Sequence, residues 1–174
     1  MQYINHYQSD VGGITLASDG QNITGLWLDG QKYFPNFLLE KTVKKDLPVF
    51  EKTHEWLDIY FSGQEPDFTP PLLLVGSPFR LEVWEELRNI PYGQVTTYGH
   101  IARIIAARHG LKSMSAQAVG GAVGHNPISI IVPCHRVVGS NGGLVGYAGG
   151  ISVKERLLQL EKNGVLELKM SGDY

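Results

Sequence analysis

The stretch IIVPCHRVVG, residues 130–139, holds the one cysteine of the chain, with Pro133 before it and His135 and Arg136 after it. A sulfur nucleophile acts as thiolate, so its value depends on a nearby base or positive charge that favours loss of the proton. His135 is a proton acceptor near neutral pH. Neighbours on an extended chain point to opposite sides, so a water bridging Cys134 and His135 fits this spacing better than direct contact. A carboxylate from elsewhere would then orient the imidazole. Pro133 fixes the backbone just before the thiol. The run GSNGGLVGYAGG, residues 139–150, is lean enough to wrap a flat ligand. Against this stands the ordinary fate of a lone buried cysteine, which is inert packing.

The elements that must hold this thiol read as helices. Ser77 caps a helix with Pro78 at its first position, ended by Pro91-Tyr92-Gly93. Thr97 caps YGHIARIIAAR, closed by Gly110, and Ser115 caps AQAVGGAVGHN, stopped by Pro127. SIIV, residues 129–132, reads as a short strand or extended run into Cys134. Ser152 and Glu155 form an S-x-x-E capping box for VKERLLQLEKNG. Residues 98–126 thus match a helix-turn-helix, whose second helix is nearly bare: Ala116, Ala118, Gly120, Gly121, Ala122 and Gly124. Interior glycines each cost a helix about 1 kcal/mol relative to alanine. Either a close contact in the core requires them, or the helix must press against another large surface such as a DNA groove.

The first part reads differently. GGITLASDGQNITGLWLDG alternates short apolar runs with Asp19-Gly20 and Asp29-Gly30, a hairpin signal. LPVFEKTHEWLDIYFSG repeats its apolar residues at helical spacing and stops at Gly63. GQEPDFTPP is a linker. The expected class is α+β: a small domain of antiparallel strands plus helix over 1–74, and a mostly helical, winged-helix-like domain over 75–174.

Composition is that of a globular chain, 43% hydrophobic and 18% charged in 174 residues. No stretch is long and apolar enough for a membrane span, and the N-terminus lacks the pattern of a signal peptide. With one cysteine, no internal disulfide can form, and a cytoplasmic location is expected. Net charge is −2, but it is unevenly spread. Residues 1–76 carry 5 Lys/Arg against 10 Asp/Glu, and residues 77–163 carry 9 against 5. That asymmetry points to an anionic partner for the second half.

PCHRV, preceded by AVGGAVGHNPISIIV and followed by GYAGGISVKERLL, resembles the O6-alkylguanine-DNA alkyltransferases across nearly all of residues 78–163. The resemblance implies DNA repair in which Cys134 takes the alkyl group from O6 of a damaged guanine, irreversibly and once per molecule. O4-alkylthymine is the expected second substrate. It implies that His135 takes the thiol proton through a water and that Glu161 orients His135. Tyr98 would help rotate the nucleotide out of the duplex and hydrogen-bond the guanine, and Asn126 would link the second helix to the active-site loop. Tyr147 would wall the pocket, the Ala148 main-chain N–H would face guanine O6, and the main-chain carbonyls of Cys134 and Val137 its amine. Thr97, Ala116, Gln117, Gly120, Gly121 and Arg136 are the expected DNA contacts, Arg136 either on a phosphate or as a structural anchor. The second helix would enter the minor groove without reading sequence.

Two departures from the family pattern stand out. Gln117 occupies the place where many relatives have an arginine that fills the gap left by the flipped base. It brings no charge, so a smaller contribution to affinity is expected. Ser129 stands where some relatives carry a proline, which suggests a more open pocket for bulky alkyl groups. No cysteine is available in the first part for the zinc that some relatives bind, so no metal or other cofactor is expected, and a monomer is. Competing readings are a non-enzymatic lesion binder, a Cys-His hydrolase of acyl groups and a helix-turn-helix regulator. The first is disfavoured by the presence of Cys134, the second requires an oxyanion hole and turnover, and the third lacks long polar side chains for reading bases in the major groove.

Overall fold

The structure, a computed structural model, describes residues 2–35, 42–144 and 146–163. The last residues of the expected second domain, 164–174, including the Gly164 that would close its final helix, lie outside the described residues. The class is α+β. Strands β1 (Gln2–Ser9), β2 (Gly12–Ser18), β3 (Ile23–Leu28) and β4 (Thr42–Lys44) form a sheet in the order β3-β2-β1-β4. The pairs β1–β2 and β2–β3 are antiparallel, and β4 joins β1 in parallel. Asp19-Gly20 makes the expected hairpin turn: the Asp19 carboxylate accepts from the N–H groups of Gln21 and Asn22 at 2.9 and 2.8 Å. Asp29-Gly30 does not make a hairpin. It ends β3, and the next strand joins the far edge of the sheet.

Helix α1 (Pro48–Phe61) packs on the sheet. Its start is set by Pro48 in the first turn, with no side-chain cap. Helices α2 (Pro78–Arg88), α3 (Tyr98–Arg108) and α4 (Ala116–Gly124) begin where their caps predict. Ser77, Thr97 and Ser115 each accept from the N–H three residues on, at 3.2, 3.0 and 3.1 Å. Helix α5 (Ile151–Asn163) starts one residue before Ser152, so Ser152 lies inside its first turn and the capping-box reading fails there. The two short strands β5 (Thr96–Thr97) and β6 (Val137–Val138) pair in parallel.

One apolar core runs through both halves. It joins Ile14, Leu16 and Leu26 of the sheet to Phe50, Leu57 and Tyr60 of α1, and these to Trp84, Ile105, Val123 and Leu157. The exposed edge of β3 is used as a seam. Ile23 exchanges backbone hydrogen bonds with the linker (Ile23 N to Pro71 O, 2.8 Å; Leu73 N to Ile23 O, 2.9 Å). Leu26 does the same with the segment before the thiol (Leu26 N to Pro127 O, 2.9 Å; Ser129 N to Leu26 O, 3.0 Å). An unpaired strand edge satisfies its N–H and C=O groups by taking up such neighbours. The sheet thereby holds the approach to Cys134.

Candidate active site and nucleic-acid interface

The segment from Asn126 to Val138 carries the thiol and is tied at both ends. Asn126, buried after α4, donates from Nδ2 to the Val132 carbonyl at 2.8 Å and accepts from Ile128 N at 3.0 Å. These two bonds tie the end of α4 to the turns that lead to Cys134. The expected run at 129–132 is not a strand. Ile128 makes one bridge to Leu26, and the chain then folds through turns. Ile130 sits at φ 71°, a conformation that a β-branched residue adopts only under strain, at a cost of about 1–3 kcal/mol. Its burial against the core holds it there. Cys134–Arg136 form a single 3-10 turn, in which successive side chains diverge by about 120°. The chain then leaves through β6, clamped beside Thr96 and Thr97.

That turn sends Cys134 and His135 in different directions. His135 is fully buried and its Nε2 meets Glu161 Oε2 at 2.5 Å. Arg136 turns inward as well, donating from Nε to Glu161 Oε1 at 2.7 Å and from Nη1 to the Ile90 carbonyl at 2.8 Å. Its place among the DNA contacts is therefore corrected: a guanidinium committed to a buried carboxylate faces no phosphate. Gly93 N donates to Glu161 Oε1 at 3.1 Å, and the Tyr60 hydroxyl to Oε2 at 2.6 Å. Burial alone would raise the carboxyl pKa of Glu161. His135 and then Arg136 overcome this and hold it well below the usual carboxylate range. Burial lowers the pKa of His135, against the pull of Glu161. The imidazole is therefore neutral at rest, with its Nε2 proton on Glu161. Its Nδ1 is buried without a hydrogen-bond partner among the described residues, which leaves a lone pair available as a base.

Cys134 is itself buried, at 5% exposure. Burial raises its pKa, while hydrogen bonding toward Asn126, the charge of Lys154 and hydrogen bonding toward Ser129 act in the opposite direction. The net effect is upward, so the resting group is a thiol. Lys154, in the first turns of α5, is buried, and its pKa falls to about 8, first because of that burial. Tyr98 lies beneath it, with the ammonium 5.8 Å from the ring centre. The Tyr98 phenol is pushed up to about 12, by burial first and then by the nearby Cys134. The Tyr147 hydroxyl is buried beside Cys134 and Ser129.

Two open cavities flank α4. One of about 600 Å³ is lined by Tyr98, Ala116, Gln117, Gly120, Gly121 and Gly146. The other, of about 390 Å³, shares three of those glycines and adds Lys32, Tyr33, Gly124, Tyr147, Ala148, Gly150 and Ile151. A further groove of about 590 Å³, walled by His6, Thr15, Asp29 and Phe34, also touches Tyr33 and contains no part of the relay. The bare face of α4 is not packed in the core. Val119, Ala122 and Val123 point inward, and the Trp84 indole N–H holds the Ala122 carbonyl at 2.8 Å. A methyl group added at Gly121 would meet nothing within 4 Å, and one at Gly120 only the Tyr98 ring, at 3.8 Å. The glycines keep an outward surface thin.

The structure thus gathers Cys134, His135, Glu161, Asn126, Ser129, Tyr98 and Tyr147 around one spot, and places Ala116, Gln117, Gly120 and Gly121 on the adjoining face. Thr97 serves as the cap of α3. The Cys134 carbonyl already accepts from Val137 N. The Ala148 carbonyl accepts from Lys32 N at 2.9 Å, which ties the glycine loop to the first half. Residues that sequence reasoning missed are Tyr60, Lys154 and the exposed Tyr33, which stacks on His125 with ring centres 3.9 Å apart. Tyr60 and Lys154 sit among ordinary helical residues, and nothing in their spacing marks them.

Two family models match this chain. The model described as 6-O-methylguanine DNA methyltransferase, ribonuclease-like domain, covers residues 3–74. The one described as 6-O-methylguanine DNA methyltransferase, DNA binding domain, covers residues 78–163. The chain belongs to the 6-O-methylguanine DNA methyltransferase family. The methylated-DNA–protein-cysteine methyltransferase of Haemophilus influenzae is 42% identical over 161 residues, 92% of this chain and 86% of the relative. That of Mycobacterium bovis is 43% identical over 161 residues, 91% and 93% of the two chains. Among solved structures, the Mycobacterium tuberculosis methyltransferase OGT in complex with DNA aligns with a TM-score of 0.83 at 39% identity, covering 95% of this chain and 96% of that one. For a 6-O-methylguanine DNA methyltransferase, the single cysteine, its buried relay and a thin helix beside it are the parts that alkyl transfer needs.

Proposed function

We propose that this chain repairs alkylated DNA by moving the alkyl group from O6 of a guanine to the sulfur of Cys134, once per molecule. The observation that carries the reading is a neutral His135, next in sequence to the buried thiol, whose Nε2–H is held by an ionised Glu161 while its Nδ1 is left unbonded. In the reaction the thiol proton passes through a water to His135 Nδ1. Sulfur forms a bond to the alkyl carbon as the carbon–O6 bond breaks, and the electron pair leaves on guanine. The Tyr98 hydroxyl, beside Cys134 and the base cavity, is placed to hydrogen-bond the departing base. The product is a thioether, which offers no easy reverse step.

The target atom lies inside the duplex, so the nucleotide must be turned out toward the two cavities beside α4, one walled by Tyr98 and the other by Tyr147, which share Gly146. Unstacking costs about a few kcal/mol, least for a base already poorly paired. The outward Gly120–Gly121 face of α4 supports entry of that helix into the minor groove, with Gln117 at the gap left by the base. Gln117 is the one long polar side chain on this helix, too few for reading sequence. O4-alkylthymine as a second substrate, action as a monomer and a cytoplasmic site of action complete the reading. Its two domains divide near residue 75, in keeping with the separate spans of the two family models.

The test is stoichiometry. With O6-methylguanine duplex in excess, transfer should stop at one methyl group per chain. Continued turnover of the lesion, or of an ester substrate, would show a hydrolytic site in its place.

A further inference from the structure

The carboxylate of Glu161 has four donors, and three of them come from the same half of the chain as the thiol. Arg136 Nε and Gly93 N serve Oε1, and His135 Nε2 serves Oε2. The fourth is the hydroxyl of Tyr60, which comes from the last turn of α1 in the first half and shares Oε2 with His135 at 2.6 Å. Its oxygen also lies 3.4 Å from His135 Nε2. The ring is clamped: Trp56 stacks on it with centres 5.3 Å apart, and Phe61 and Tyr92 meet it edge to face. Phenylalanine would fill this space equally well. A buried hydroxyl costs free energy unless it is bonded, so packing gives no reason for its presence. What it does is donate to the one oxygen that orients the catalytic imidazole.

We infer that Tyr60 is a positioning residue for alkyl transfer: its hydroxyl, delivered by the first half of the chain, partly neutralises Glu161 Oε2 and so sets the basicity of His135 Nδ1. This rests on the relay assigned under the proposed function. Two donors on one carboxylate oxygen compete for its charge. With the Tyr60 donor gone, Oε2 turns more negative charge toward the His135 Nε2 proton, and the imidazolium is stabilised. His135 then holds a proton to higher pH and is withdrawn as a base below that pH. The other charged or titratable groups facing the relay are Arg136, Lys154, Tyr92, Tyr147 and Cys134, and none of them moves in a Tyr60→Phe exchange.

The test is the pH dependence of two reactions of Cys134, carried out on the full chain: transfer from O6-methylguanine duplex and alkylation by iodoacetamide. In Tyr60→Phe the acid limb of both profiles should move to higher pH, so that the rate at pH 6 relative to pH 8 falls about threefold. Tyr60→3,5-difluorotyrosine, a stronger donor of the same shape, should move the limb the other way. Tyr7→Phe removes another hydroxyl from the first half, one bonded to Asp58 at 2.6 Å and to no member of the relay, and should leave both profiles in place. Loss of rate by the same factor at every pH, or superimposable profiles for all the variants, would overturn the inference. The iodoacetamide profile does not depend on DNA. If the wild type showed no transfer from duplex yet the iodoacetamide limb moved as stated, the proposed function would fall and the role of Tyr60 would stand.

Discussion

Gly121→Ala separates what the bare helix does for the fold from what it does for DNA. Gly121 lies inside α4, is exposed, and has nothing within 4 Å of where a Cβ would stand. Alanine should therefore stabilise the helix by about 1 kcal/mol. For a chain of this size that corresponds to a rise in Tm of about 2–4 °C. The same methyl group stands on the face proposed above to press against DNA. Forcing one extra carbon into a close-fitting contact costs about 1–3 kcal/mol. With every 1.4 kcal/mol worth tenfold, transfer from duplex at sub-saturating protein should slow by about five- to 150-fold. Transfer from free O6-benzylguanine, which needs no groove, should keep its rate. The assays are a thermal melt and single-turnover kinetics with the two substrates. A variant that melts higher yet repairs duplex as fast as the wild type would refute the reasoning, because the glycines would then have no bearing on DNA.

Glu161→Gln leaves Arg136 and its surroundings with a buried charge unpaired, and should cost about 3–5 kcal/mol of stability in urea. Because it also unfixes His135, alkylation of Cys134 at neutral pH should slow by about 10²-fold, read with iodoacetamide. The folded-state pKa of Glu161 lies below the ordinary 4.5, so its stabilising effect is fully present above that pH and is lost as pH falls below it. Urea midpoints should drop from pH 6 to pH 3.5 in the wild type and change less in Glu161→Gln. Lys154 gives a dependence of the same sign at higher pH. Its pKa is about 8 in the fold against 10.5 for a free side chain, so between those values the unfolded chain binds more protons and stability climbs with pH. Lys154→Met should lose that climb and should raise the pH at which Cys134 reacts, since the ammonium favours the thiolate. Melts from pH 7.5 to 10 and the thiol profile read both effects.

Most of what positions the thiol was legible in the sequence, because caps are local chemistry. Ser77, Thr97 and Ser115 announce their helices within a few residues, and the structure starts them there. Asn126 was singled out by the family resemblance and not by its local pattern, which read only as a helix end. Three things were not legible. The segment 129–132 has the composition of a strand, but its neighbours force turns and a strained Ile130, which depends on tertiary packing. Tyr60 lies 101 residues from Glu161, and no spacing rule reaches across that distance. Nor could the bare face of α4 be assigned to the core or to the outside until the inward Val119 and Val123 were located.

The most direct measurement is peptide mapping of the intact protein after incubation with O6-methylguanine duplex, with Cys134→Ser alongside. One added CH2 on the peptide that contains Cys134, and none in the serine variant, is the predicted result. A wild-type chain that binds the lesion duplex but keeps an unmodified sulfur, or that carries the methyl group on another residue, would contradict the account.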